Sequence, residues 1–214
     1  DEAFDNWVKN PGMYGHVMYF KDEWEKDLRD MVLKDLNHPS VIMYSTGNEI
    51  TDTAFPDGIE WAEKMTKLCH ELDDSRPVTC CINLFLNVLA QKGGAPKIAE
   101  NKINKEDITD PLAEASDSQM GGSMFINLLV ATGPFLQKLL MTPKASDKAT
   151  SGAYAKQDIA GYNYGFPLYR KHHEFHPDRI IVGSETNITQ SAQNWEQVKT
   201  NPHVIGDFIW TAWD

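Results

Sequence analysis

The chain has 214 residues, 41% of them hydrophobic, with 20 lysines and arginines against 31 aspartates and glutamates, a formal charge of −11. That hydrophobic share suits a folded core rather than a disordered chain, and a surface this acidic repels phosphate backbones and anionic bilayers, so neither nucleic acid nor a membrane is expected as a partner; a neutral sugar is compatible with it. No apolar run approaches the roughly 20 residues of a membrane helix, and the opening Asp1-Glu2 is not a secretory leader.

In chain order, the first strong pattern is a helix over 22–36. Trp24, Leu28, Met31, Val32 and Leu36 fall near helical spacing, Lys21-Asp22 provides a cap, and Asn37-His38-Pro39 ends the run. A strand over 41–45 follows, then a helix over 57–72 carrying Ile59, Trp61, Met65 and Leu68. The polar turn Asp73-Asp74-Ser75-Arg76-Pro77 delivers a strand over 78–82. Residues from about 93 to 152, rich in Lys, Asp, Ser, Ala and Gly, break the rhythm and read as a long loop insertion. Strands over 159–164, 180–184 and 204–210 complete the pattern. Strands alternating with amphipathic stretches predict βα units around a parallel sheet. The chain opens on what reads as the tail of a strand and stops just after another, so it is expected to be a piece of a longer protein with exposed strand edges. Cys69, Cys80 and Cys81 are a poor disulfide framework and read as reduced, buried thiols in a cytoplasmic setting.

Two strand ends carry a glutamate. Val41-Ile42-Met43-Tyr44 runs into Ser45-Thr46-Gly47-Asn48-Glu49, and Ile180-Ile181-Val182 runs into Gly183-Ser184-Glu185-Thr186. In a βα barrel the active site gathers at the C-terminal ends of the strands. Each glutamate taken alone could belong to a helix cap. Taken together, two distant strands ending in a glutamate at one face match the paired carboxyl groups of glycoside hydrolysis, about 5–5.5 Å apart in retaining enzymes. Other strand ends carry Asn83, Tyr162, Asn163, Tyr164, Trp210 and Trp213, the amides and aromatic rings that bind sugars; each could equally fill a barrel core. His172-His173 with His176 lacks companion cysteines or acids and reads as a solvated loop rather than a metal site. Gly93-Gly94 and Gly121-Gly122 lack the spacing of a phosphate loop.

These motifs resemble glycoside hydrolase family two, which includes β-galactosidases, β-glucuronidases and β-mannosidases. The resemblance is carried by Asp1-Glu2-Ala3-Phe4-Asp5, Asn37-His38-Pro39-Ser40-Val41 through Gly47-Asn48-Glu49, Arg76-Pro77-Val78-Thr79, Asp158-Ile159-Ala160-Gly161-Tyr162-Asn163-Tyr164, Gly183-Ser184-Glu185-Thr186 and Ile205-Gly206-Asp207-Phe208-Ile209-Trp210-Thr211-Ala212-Trp213-Asp214. Met124-Phe125 and the stretch from Lys144 to Thr150 are similar to the bacterial β-galactosidase-like branch. The resemblance implies a (β/α)8 TIM barrel, here incomplete, with strands three to eight present. It implies Glu49 as acid/base on strand four and Glu185 as nucleophile on strand seven. Asn48 matches an amide that binds the sugar 2-hydroxyl, Asp1 a strand-three acid that meets sugar hydroxyls, and Trp210 the strand-eight tryptophan under the sugar. Tyr164 matches the tyrosine near the nucleophile, a task Asn163 or Tyr162 could share. Some members hold magnesium through a Glu and a His after the strand-three acids; Asn6 and Val8 occupy those places here, so no metal and no cofactor are expected.

The expected activity is retaining hydrolysis of terminal β-glycosides, β-galactoside-like, on a β-linked oligosaccharide or glycoside. Glu185 attacks the anomeric carbon, Glu49 protonates the leaving oxygen and then activates water. Such roles require different pKa values, Glu49 high and Glu185 low. The alternative is a non-catalytic sugar-binding or inactive fragment, and exposed strand edges would favour a homo-oligomer.

Overall fold

The computed structural model describes residues 1–9, 17–93 and 141–211. The centre of the predicted insertion, Gly121-Gly122, Met124-Phe125 and Trp213 lie outside the described residues.

Helix α1 (Val17–Asp35) buries Phe20, Leu28 and Val32 completely and packs Trp24 and Met31 beside them. It begins five residues before the expected start. Its solvent face carries ion pairs Lys26–Asp30 and Glu25–Arg29, which in water contribute little. The orphan carbonyls beyond its end meet Arg76, whose guanidinium donates to Leu36 O, His38 O and Val41 O.

Five parallel strands follow, β1 (Tyr44–Asn48), β2 (Val78–Asn83), β3 (Ile159–Asn163), β4 (Ile181–Asn187) and β5 (Val204–Trp210), in simple sequential order. Glu2 adds a parallel bridge to Ser45 beside β1. Between the strands lie α2 (Pro56–Leu72), α3 (Leu84–Gln91), α4 (Pro143–Tyr154), α5 (Tyr169–Phe175) and α6 (Ser191–Thr200). Period-two alternation splits the sheet into two unlike faces. Tyr44, Val78, Cys80, Ile82, Ala160, Tyr162 and Ile181 join Phe20, Leu28, Met65 and Leu84 in the apolar core. The alternate residues, Ser45, Thr79, Cys81, Asn83, Gly161 and Asn163, are small or polar and form the other face. Adjacent Cys80 and Cys81 therefore point to opposite faces, and all three cysteines are free and buried.

Three expectations change. The first strand runs over 44–48 rather than 41–45: Val41 N closes a turn onto His38 O, Ile42 is exposed, and pairing with β2 starts at Tyr44 opposite Val78. Ser-Thr-Gly is a poor strand former by propensity, but burial and pairing override it. The supposed loop insertion ends in a helix, α4, capped by the Thr142 hydroxyl, with Pro143 in its first turn. Its buried face is Ser146, Ala149, Thr150, Ala153 and Tyr154, a mostly small-residue face that hydrophobic periodicity does not register. That face permits close approach: a Cβ on Gly152 would come within 2.4 Å of Ile59.

The third change concerns the histidines. His172 is not in a solvated loop but completely buried on α5. Its Nε2 faces the Pro143 carbonyl and the Ser146 hydroxyl, and its Nδ1 the Tyr162 hydroxyl. A carbonyl can only accept, so Nε2 carries the proton and Nδ1 accepts from Tyr162, which in turn accepts from Arg179. His176 pairs with Asp147 at 2.7 Å, and His173 stacks on His203 at 3.6 Å. Burial lowers the His172 pKa to about 4. Between roughly pH 6.5 and 4 the unfolded chain binds a proton that the folded chain refuses, so stability present above that window is lost as pH falls through it. The expected loss attributable to His172 between pH 7.5 and pH 5 is about 2 kcal/mol. Urea unfolding of the chain and of His172→Asn at both pH values checks it; equal pH slopes in the two would refute the assignment.

Candidate active site

The polar face of the sheet ends in a cluster of amides and carboxylates, and irregular pairing sets their positions. The β1–β2 register shifts between Ser45 and Asn48, the β3–β4 register between Tyr162 and Asn163, and the β4–β5 register between Gly183 and Thr186. Such bulges re-aim side chains at strand ends. Here they bring Asn48 opposite Cys81 and Asn163 opposite Glu185.

Glu49 and Tyr164 are the two non-glycine residues with positive φ, 54° and 55°, among those described. For residues bearing a Cβ this costs about 1–2 kcal/mol each, and surrounding structure must hold them there. Backbone bonds do so: Glu49 N donates to Cys81 O and Tyr164 N to Glu185 O, both at 2.7 Å. Neither glutamate caps a helix. The turn after Glu49 has Ile50 at its cap with no side-chain bond, and the turn after β4 is capped by Asn187.

The side chains converge. Asn163, almost fully buried, points its Nδ2 at Asn48 Oδ1 (2.7 Å), Glu185 Oε2 (3.2 Å) and Glu49 Oε1 (3.4 Å). Asn83 donates to Glu49 Oε1 at 2.8 Å while its own oxygen caps α3 through Phe85 N and Leu86 N. The Tyr164 hydroxyl donates to Glu185 Oε1. Ser184 Oγ donates to Asn163 Oδ1 at 2.7 Å.

Burial is the largest influence on Glu185 and raises its pKa; the Tyr164 hydrogen bond opposes this, repulsion from Glu49 adds to it, the Asn48 amide opposes, and Glu2 adds. The sequence led to the expectation of a low Glu185. Desolvation and two neighbouring carboxylates outweigh the hydrogen-bond donors around it. Tyr164 is itself pushed up, by burial and by the Glu185 carboxylate, and so stays a neutral donor.

Of the sequence candidates, Asn48, Glu49, Asn163, Tyr164 and Glu185 meet in this cluster. Asp1 and Trp210 do not hydrogen-bond to either glutamate. The Asp1 carboxylate pairs with Lys34 of α1, and Glu2 rather than Asp1 turns to the polar face, where it accepts from Ser45 Oγ at 2.6 Å. Trp210 lies at the end of the edge strand β5 and is 64% exposed. Tyr162 is turned toward the helices, stacked on Tyr154. Asn83, a strand-end amide already picked out in the sequence, joins the cluster through Glu49; Ser184 is the residue whose part sequence reasoning missed, since it also suits a local capping role and only the fold shows its partner Asn163. Among the described residues no group of three or more His, Cys, Asp or Glu could hold a metal ion.

Residues 17–108 match the family model described as glycosyl hydrolases family 2, TIM barrel domain. Over its whole length the chain is 48% identical to a β-galactosidase of Bacteroides ovatus. The chain belongs to glycoside hydrolase family two. It is also similar to the crystal structure of a family-two member from Bacteroides cellulosilyticus, at 31% identity and a TM-score of 0.66, covering 99% of this chain and 20% of that one. A β-galacturonidase from Eisenbergiella tayi shares the fold, with a TM-score of 0.56 at 13% identity. The chain spans 21% of the length of the Bacteroides ovatus enzyme. The five-stranded parallel sheet is thus that of a family-two TIM-barrel domain.

Proposed function

We propose that this chain carries the catalytic centre of a retaining glycosidase acting on terminal β-glycosides, β-galactoside-like, with Glu49 as acid/base and Glu185 as nucleophile. The observation that carries this reading is the single amide nitrogen of Asn163 lying 3.4 Å from Glu49 Oε1 and 3.2 Å from Glu185 Oε2. Those two oxygens can be separated by no more than the sum of these distances. That bound puts the two carboxylates on one shared amide and accommodates the roughly 5–5.5 Å of a retaining pair.

The positions support the following reaction. A β-glycoside seated between the carboxylates receives a proton from Glu49 on its leaving oxygen while Glu185 attacks the anomeric carbon. The covalent glycosyl-enzyme is then hydrolysed by water that Glu49, now ionised, deprotonates. Proton occupancy of Glu49 removes the repulsion that adds to the burial-driven rise of Glu185, so the first step starts from the protonation state that favours an ionised nucleophile. Asn48 and Asn163 are assigned to sugar hydroxyls, and Tyr164 to holding Glu185. The preference for galactosides rests on the identity to the Bacteroides ovatus enzyme.

We further propose that the sheet is an incomplete barrel of strands three to eight, because among the described residues β1 and β5 do not pair with each other. A second reading is sugar binding without turnover, since Trp210, the expected platform under the sugar, is 64% exposed at the end of β5 and bonds to neither glutamate. An aryl β-galactoside assay beside a binding titration separates them: release of aryl alcohol supports the hydrolase, and binding without release supports the alternative.

Tyr164→Phe is expected to lower turnover about 100-fold, the scale of losing one preorganised donor to a reacting carboxylate. Since that bond holds the Glu185 pKa down, the acidic limb of the pH–rate profile moves to higher pH. A profile identical to that of the unaltered chain would remove Tyr164 from the mechanism.

A further inference from the structure

We propose that Ser184 is a positioning residue, which pins the carboxamide of Asn163 so that its NH2 group serves both catalytic carboxylates throughout the reaction. This rests on the reading of Glu49 and Glu185 as the catalytic pair.

The argument begins with donor counting. A carboxamide NH2 has two hydrogens. Asn163 Nδ2 has three acceptors: Asn48 Oδ1, Glu185 Oε2 and Glu49 Oε1. The shortest contact takes one hydrogen, and the carboxylates share the other. That first bond also orients Asn48: with its oxygen engaged, its own NH2 is the end left to donate, and the Asn48 amide works to lower the Glu185 pKa. Asn163 thus acts on Glu185 directly and through Asn48.

In the ionised pair, carboxylate oxygens alone would keep the NH2 end forward. The catalytic cycle requires Glu49 to carry a proton, and a protonated carboxyl is a donor. At that stage a reversed amide, offering its oxygen to the Glu49 hydroxyl, becomes competitive and would trap the proton needed by the leaving group. The Ser184 hydroxyl works against the reversal. It donates to Asn163 Oδ1 at 2.7 Å, so turning the amide breaks that bond and leaves the hydroxyl to find another acceptor.

Ser184 is itself held. A Cβ on Gly161 would stand 3.1 Å from Ser184 Oγ, so the hydroxyl occupies space that the glycine leaves open on the neighbouring strand. On the same polar face Ser45 donates to Glu2 and contacts the Cys81 thiol at 3.3 Å. The partner of the Ser184 hydroxyl is the Asn163 amide oxygen, which takes its one proton. The residue directly preceding the nucleophile thereby acts on it through the next strand.

The test is a carboxylate titration of the chain, labelled with 13C at glutamate, by nuclear magnetic resonance, in four forms: unaltered, Ser184→Ala, Asn163→Ala and the double variant. Ser184→Ala is expected to move the Glu185 midpoint upward by about half a pH unit, since weaker donation to an anion disfavours the anion. In the Asn163→Ala background the same change is expected to do nothing, because the intermediary is gone. An unmoved midpoint in Ser184→Ala, or an equal movement in both backgrounds, overturns the proposal. If a variant fails to fold, the unaltered chain still decides: the Asn163 side-chain amide protons must shift in step with the Glu185 titration, and indifference to it overturns the proposal. These readouts need no turnover. A chain that shows the coupling but hydrolyses no glycoside would refute the proposed function and leave the positioning role standing.

Discussion

Glu185→Gln is expected to reduce hydrolysis of an aryl β-galactoside by about 10,000-fold or more, equivalent to at least about 5.5 kcal/mol of transition-state stabilisation. Glutamine keeps the volume and can still accept from Tyr164, so the fold around β4 is expected to survive. What disappears is the anion that forms the glycosyl bond. The substitution also removes the partner that Glu49 repels, so binding of an unreacted galactoside should remain within a few-fold of the original. The matched observation is covalent: a 2-fluoro-galactoside with a good leaving group should label the unaltered chain at the peptide containing Glu185, as read by intact and peptide mass, and should leave Glu185→Gln unlabelled. Near-normal release of aryl alcohol by Glu185→Gln, or labelling at another carboxylate, would refute the assignment.

Much of this centre was legible in the sequence, because strand-terminal glutamates in a βα pattern can be recognised one strand at a time. What the sequence could not show is which strand-end residues meet. Asn83 satisfies two amides of α3 and one oxygen of Glu49 at once, and only the capping half follows from local spacing. Asp1 and Glu2 are adjacent acids on opposite faces. A one-residue difference in register decides which of them faces the sheet interior, and in the structure it is Glu2. The bulges are equally invisible in advance: the strand expected over 180–184 ends at Ser184, whereas β4 continues to Asn187 through two register shifts. Helix α4 was missed because its buried face is built mainly of Ala, Ser and Thr. His172 is misplaced because burial of a histidine depends on partners from two other segments, Pro143 and Ser146 on α4 and Tyr162 on β3.

The strained backbone at Glu49 connects stability to the site, and Trp7 lies where the two meet. Trp7 is completely buried, its indole stacks 6.4 Å from Phe20 of α1, and its Nε1 donates to Thr46 O at 3.0 Å. It also sits so close to β1 that a Cβ on Gly47 would stand 3.0 Å from Nε1. The indole therefore fixes the backbone just before Asn48 and Glu49 while filling the space between β1 and α1. Trp7→Ala is expected to cost about 4 kcal/mol of folding stability. Loss of a buried tryptophan alone accounts for about 3–5 kcal/mol, and the Thr46 carbonyl loses its partner as well. Partial collapse around the cavity keeps the sum from being additive. Against the 5–15 kcal/mol typical of a folded domain, such a loss leaves little reserve for holding Glu49 at positive φ. Trp7→Phe restores most of the volume without the donor, so it should cost about 2 kcal/mol. Urea unfolding of the three chains at pH 7.5 gives the comparison. A cost below about 1 kcal/mol for Trp7→Ala would mean that the layer between α1 and β1 does not support the glutamate-bearing strand end.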